Sequence, residues 1–289
     1  MSTPSPNAHP AAASPHPAAA SPHSTAASPP PAPSRPVPSG PVPSSPVCFG
    51  WGPVEARALS GAGVCVVVVD VLSFTTSVGV AVERGAAVLP YRWRDATAVA
   101  YAREKDAVLA VGRSEATGAH PWSLSPAGLR AAPVPPPGRL VLPSPNGSTI
   151  SVEAEAGRAT VVAASLRNRA AVARWLVERG HGTADRPVAV VASGEQWPDG
   201  SLRPALEDLL GAGAVLDALR AAGRTLTPEA TAAATLWAAT VDPVAALHGC
   251  DSGRELYEYG YPQDVEVAAE IDSSTVVPVL VDGAFQEAP

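Results

Sequence analysis

The chain has 289 residues, 46% of them hydrophobic and only 5% aromatic, with 20 basic and 27 acidic side chains and a net charge of −7. That length allows one large domain or two small ones, with a core built mostly of Val, Leu and Ala. The acidic balance argues against nucleic acid as the main partner, because phosphate backbones need a basic footprint, whereas a small anionic ligand stays compatible if a divalent cation sits between.

Residues 1–46 are mostly Pro, Ala and Ser, with Arg35 as the only charged side chain. Such a segment buries too little apolar surface to offset its ordering entropy, which predicts a disordered tail of polyproline II character. His9, His16 and His23 recur every seven residues there, as a metal-binding tract or as part of a plain spacer. Cys48, Cys65 and Cys250 form no CxxC pair and no zinc spacing, which fits a reducing compartment. No apolar run reaches the roughly 18 residues of a bilayer span, and no secretory signal is legible. A cytoplasmic location is the expectation.

From residue 47 the chain alternates β-rich and helical runs. Strands are predicted at 64–70, 87–91, 108–111, 139–143, 160–164, 187–193 and 276–281, and helices at 75–84, 94–104, 149–156, 167–180, 203–223, 227–237 and 252–259. Continuous apolar strands imply burial on both faces, and their alternation with helices implies βαβ units. The expected fold class is α/β: a three-layer α/β/α domain over 47–289 with a mostly parallel sheet. Ligands in such folds bind outside the carboxyl ends of the strands.

The first predicted strand, VCVVVVD, ends on Asp70 and runs into VLSFTTS. A carboxylate there can hold Mg²⁺, act as acid, base or nucleophile, or simply cap the next helix. Thr75 and Thr76 stand at a helix start whose N–H groups suit an anion or a plain N-cap. The strand at 139–143 ends in SPNGST, where Asn146-Gly147 is a turn dipeptide that permits positive φ, and Ser148 and Thr149 open a helix. The 160–164 strand is followed by SLRN, and the 187–193 strand by Gly194-Glu195. Further on, Glu207-Asp208 lies among Leu202, Leu206, Leu209 and Leu210, where a carboxylate is expected to be paired or to ligate metal, although helical neighbours point about 100° apart. The chain has no GxxxxGK[ST] loop, no GxGxxG after the first strand and no GxSxG elbow, and Asp70-Val71-Leu72 is not the Asp-x-Asp of haloacid dehalogenase phosphatases.

In order, DVLSFTTS, SPNGST, AASLRNR, SLRPALEDLLGAG and SGRELYEYGYPQDVEVAAEIDSSTVVPVL resemble the 2-phosphosulfolactate phosphatase (ComB) family over most of residues 47–289. The resemblance implies an α/β, Mg²⁺-dependent phosphatase hydrolysing 2-phosphosulfolactate to sulfolactate, a step toward coenzyme M. Residue by residue it points to Asp70, Thr75 and Thr76; to Asn146, Gly147 and Thr149; to Asn168; to Glu207 and Asp208; and to Gly253 and Asp264. The family's usual DVLR reads DVLS here, so Ser73 replaces an Arg, with Arg113 and Arg167 as candidates to supply the missing charge. A GNSP-like segment remains only as Ser123-Leu124-Ser125-Pro126, and Ser252 stands where a His is frequent.

The expectation is therefore a metal and catalytic set of Asp70, Glu207 and Asp208 with Mg²⁺ as cofactor. A substrate and phosphate set of Ser73, Thr75, Thr76, Asn146, Gly147, Ser148, Thr149 and Asn168 accompanies it. The partner is a small anionic phosphorylated substrate, with no nucleic acid and no membrane, and a homodimer is the default assembly. The lost Arg and His favour a second possibility, a non-catalytic protein binding a small anionic metabolite. A third is a metal-independent α/β enzyme acting on a small carboxylate.

Overall fold

The computed structural model describes residues 45–288 except positions 94 and 134. The tail predicted over 1–46 thus lies outside the described residues but for its last two. Strand β1, Val47–Trp51, opens the domain and helix α1, Gly52–Leu59, follows it. Strand β2, Cys65–Val69, is wholly buried and leads into helix α2, Phe74–Glu83. Then come β3 (Ala87–Tyr91), α3 (Ala96–Glu104) and β4 (Val108–Leu109). After a 3-10 turn at Arg113–Glu115 follow α4 (Pro126–Ala131), β5 (Arg139–Pro143) and α5 (Gly147–Ala156). Next are β6 (Thr160–Ala164), α6 (Arg169–Glu178) and β7 (Val188–Ala192). A two-stranded ribbon, β8 (Glu195–Gln196) with β9 (Leu202–Arg203), precedes α7 (Leu206–Ala221) and α8 (Pro228–Ala239). Three short helices, α9 (Pro243–Gly249), α10 (Asp251–Glu258) and α11 (Pro262–Ala268), lead to β10 (Pro278–Val281) and β11 (Ala284–Glu287).

The main sheet runs β1-β7-β2-β6-β10-β11-β3-β5-β4. Strands β1, β7, β2 and β6 pair in parallel, as do β3, β5 and β4. Between these blocks the β10–β11 hairpin is antiparallel to both neighbours. The α/β class and the mostly parallel sheet agree with the sequence reading, and the antiparallel insert corrects its detail. The hairpin turns on Asp282-Gly283, both at positive φ (50° and 75°), a two-residue connection that matches the strand twist.

The run CVVVV explains the layering. Cys65, Val67 and Val69 face a core with Val172 of α6, Leu216 of α7 and Ala234 of α8. Val66 and Val68 face the opposite core, with Ala56 of α1, Val78 of α2, Leu129 of α4 and Ile150 of α5. Burial on both faces, as the continuous apolar run requires, makes the three layers. Among the described residues no single helix is long and apolar enough to cross a membrane.

Candidate active site

Asp70 is the first residue after β2, and both its carboxylate oxygens are engaged. Oδ1 accepts the Phe74 N–H of α2 at 3.0 Å, and Oδ2 accepts the Gly147 N–H of α5 at 2.9 Å. One carboxylate thus holds the first turns of two helices, each of which leaves N–H groups without a helical partner. Gly147 is needed for this approach: a Cβ there would lie 2.7 Å from Asp70 Oδ2 and inside the Phe74 ring. Its φ is not positive, so close packing rather than the expected turn geometry selects glycine. The peptide between Leu72 and Ser73, in the turn before α2, is cis.

Glu207 and Asp208 open α7, and both are buried, 2% and 3% exposed. Helical neighbours point about 100° apart, and here both directions lead into the interior. Asp208 Oδ1 accepts the Val71 N–H at 2.7 Å and Oδ2 the Gly194 N–H at 2.8 Å, tying α7 to the loops after β2 and β7. Gly211, one turn on, lets α7 press against β2, since a Cβ there would meet Val69 and Val71 within 2.8 Å.

A fourth carboxylate joins them. Glu195, at the start of β8, accepts the Asn146 Nδ2–H at 2.8 Å. Burial, reinforced by the negative charges of Asp70 and Glu207, pushes its pKa up to about 8. Burial also raises Asp70 to about 6 against the pull of the Phe74 and Gly147 N–H groups, with Glu207 raising it further and Arg113 lowering it. Asp208 is raised well above the usual carboxylate range by burial and then by Asp70 and Glu207. Beside them Ser193, whose N–H donates to Val69 O at 2.8 Å, has a buried Oγ with no partner among the described residues.

The expected hydroxyl donors are differently employed. Thr75 Oγ1 donates to Asp70 O (2.7 Å) and accepts the Asp70 N–H (3.0 Å), and Thr76 Oγ1 donates to Val71 O (2.8 Å). Ser148 Oγ donates to Leu142 O (3.2 Å) and Thr149 Oγ1 to Pro145 O (2.6 Å). These four hydroxyls brace the turns. Asn168 closes its own turn: Oδ1 accepts the Ser165 N–H (2.8 Å), and Nδ2 reaches Ala163 O (3.3 Å) and Val276 O (3.0 Å). Its recorded bonds reach neither Asp70 nor α7. Gly253 is a packing glycine, because a Cβ there would enter the carbonyl of Leu247.

Of the two candidate arginines, Arg167 is buried between Glu83 (3.1 Å) and Glu270 (3.4 Å). Arg113 lies at the site instead: its Nη2 donates to Ser73 Oγ at 2.7 Å and its Nε to Asp264 Oδ2 at 2.9 Å. Asp70, Glu207, Asp208, Ser73, Asn146 and Gly147 are thus brought together. Glu195 and Ser193 were left out of the expected set. Their signal was the one that singled out Asp70, a polar group just beyond a continuous apolar strand.

The family model described as 2-phosphosulpholactate phosphatase matches residues 54–283. A probable 2-phosphosulfolactate phosphatase of Deinococcus radiodurans is 30% identical over 218 residues, 75% of this chain and 87% of that protein. One of Thermus thermophilus is 32% identical over 220 residues, 74% of this chain and 87% of its own. One of Synechococcus sp. strain RCC307 is 30% identical over 237 residues, 78% of this chain and 91% of its own.

Proposed function

The chain belongs to the 2-phosphosulpholactate phosphatase family, and we propose that it hydrolyses a small phosphomonoester, 2-phosphosulfolactate, to sulfolactate and phosphate. The observation that carries this reading is the buried corner in which Asp70, Glu207 and Asp208 meet, with Glu195 beside them. The names of the relatives support the same reaction.

The corner suits Mg²⁺ in its chemistry. Its carboxylate oxygens are hard donors, their mutual repulsion is what a divalent cation relieves, and the buried Ser193 Oγ lacks a partner. Among the described residues no group of three or more His, Cys, Asp or Glu stands at metal-ligand spacing. Mg²⁺ needs no such group, since it commonly takes one or two carboxylates and fills its shell with water and phosphate oxygens. Asp70, with Glu207 or Asp208, would hold it. When bound, it supplies neutralisation of charge on the phosphoryl oxygens.

The chain's own groups do the rest. The N–H ends of α2 and α5 converge through Asp70 and favour an anion beside them. Water adds to phosphorus as the bond to the leaving alkoxide oxygen breaks. Glu195, protonated at neutral pH, gives its proton to that alkoxide and regains one from solvent. Of the attacking water's two protons, one passes to solvent, balancing the one Glu195 regains, and the other leaves with inorganic phosphate. The reading takes a small anionic phosphorylated molecule as partner, neither nucleic acid nor membrane, and keeps a homodimer as the default assembly. A reducing, cytoplasmic setting belongs to it too, supported by three cysteines that are all buried and unpaired. Glu195→Gln tests the acid role: turnover should fall roughly 100- to 10,000-fold, and the high-pH limb of the wild-type profile, where the acid loses its proton, should disappear. A variant with the wild-type pH profile would remove Glu195 from the reaction.

A further inference from the structure

We propose that Arg113 holds a second anionic group of the substrate, a carboxylate or sulfonate, at the edge of a cavity beside α4 and α11. The inference rests on the phosphatase reading and adds to it which residue recognises the acid. The cavity has a volume of about 530 Å³, and Arg113, Ser123, Ser125, Arg130 and Tyr261 are among its lining residues. Asp70 does not line it. The link is Arg113, whose Nη2 touches Ser73, three residues along the turn from Asp70. One guanidinium therefore stands between the cavity and the carboxylate corner, close enough to lower the Asp70 pKa.

The guanidinium is held for this task on three sides. Its Nε donates to Asp264 Oδ2 at 2.9 Å, its Nη2 is on Ser73, and its Cζ lies 5.8 Å from the Tyr261 ring centre. Asp264 is itself saturated. Its Oδ1 accepts from Ser125 Oγ (2.6 Å) and from the Ala127 N–H (3.2 Å). Exposure separates the two partners: the Arg113 side chain is 21% exposed and that of Asp264 is not exposed at all. A ligand in the cavity meets the cation and not its counter-charge. Nη1 of Arg113 has no partner among the described residues, and a planar fork is the donor suited to a carboxylate or sulfonate. Arg130, on the same cavity, is a poorer candidate, because its Nη1 already bonds both Glu270 oxygens (2.6 and 2.8 Å).

The test compares kcat/KM for 2-phosphosulfolactate and for ethyl phosphate, which lacks the second acid, in the full chain and in Arg113→Gln and Arg113→Lys. The ratio of the two values should fall roughly 10- to 100-fold in the glutamine variant and less in the lysine variant. Comparable loss on both esters, or an unchanged ratio, overturns the assignment, because a residue that only braces Asp264 would not discriminate between them. Melting curves establish that each variant is folded. If the glutamine variant is not, the lysine variant, which keeps a cation on Asp264, carries the comparison. Should the wild type release phosphate from neither ester, the phosphatase reading fails. Calorimetric binding of sulfolactate then decides: binding weakened roughly tenfold or more by Arg113→Lys upholds the inference, and equal or absent binding in the wild type and the variant overturns it.

Discussion

Gly147 has little freedom in the corner, since a methyl group on it would meet Asp70 Oδ2 at 2.7 Å and the Phe74 ring. Gly147→Ala should therefore destabilise the protein by about 1–3 kcal/mol through overpacking, read as a lower denaturation midpoint, and should reduce turnover by displacing Asp70. Asp70→Asn keeps the shape and removes the charge. Turnover should fall roughly 100- to 1,000-fold, and the melting temperature should drop, because the amide NH2 cannot accept from Phe74 or Gly147 and leaves one buried N–H unpaired. Glu195 carries the pH dependence. Its pKa stands near 8 against an ordinary 4.5, so the fold favours the protonated form. The group costs nothing below the ordinary value, and its cost grows as pH rises toward about 8. In metal-free protein, Glu195→Gln should raise the melting temperature at pH 8.5 by more than at pH 5. An equal gain at both pH values would contradict the burial argument. Asp70 was legible in the sequence as a carboxylate ending an apolar strand. The work of Thr75, Thr76, Ser148 and Thr149 was not, because a hydroxyl at a helix start can serve a ligand or its own backbone equally well, and only the donor–acceptor pairs decide.

Elements show where sequence patterning carried and where it stopped. Strand β2 and its two-sided core follow from CVVVV, since β-branched residues without polar alternation call for burial on both faces. Strands β1 and β11 were missed because VCFGW and AFQE are short and broken by glycine or polar residues. Their strand character comes from partners: β1 from five residues paired with β7, and β11 from the hairpin with β10. The Asp282-Gly283 turn was available as a hairpin signal. Asp264 illustrates a long-range role that no local pattern shows. It joins α11 to the 3-10 turn through Arg113 and to the start of α4 through Ser125 and Ala127. Asp264→Ala leaves the Arg113 guanidinium without its buried partner and should cost about 3–5 kcal/mol, measured by denaturant unfolding. A loss below about 1 kcal/mol, the range of exposed pairs, would mean that the three elements are held by other contacts.

On the scale of the whole molecule, the last strands of the chain lie inside the sheet. The β10–β11 hairpin separates two parallel blocks, pairing with β6 on one side and β3 on the other. Phe285 is fully buried there against Phe74 of α2, with ring centres 6.3 Å apart. Removal of residues 276–289 should therefore prevent cooperative folding rather than trim an edge, seen as loss of a sharp melting transition; a truncated chain that melts cooperatively would refute that placement. The same architecture gathers residues 70, 147, 195 and 207, far apart in the chain, around one corner. The central claim is that this corner cleaves a phosphate ester with a divalent cation. The most direct measurement is phosphate release from 2-phosphosulfolactate by the full chain, with Mg²⁺ and with EDTA. The account predicts release with Mg²⁺ that EDTA abolishes and Asp70→Asn greatly reduces. No release from folded protein in Mg²⁺, or undiminished release in EDTA, would contradict it.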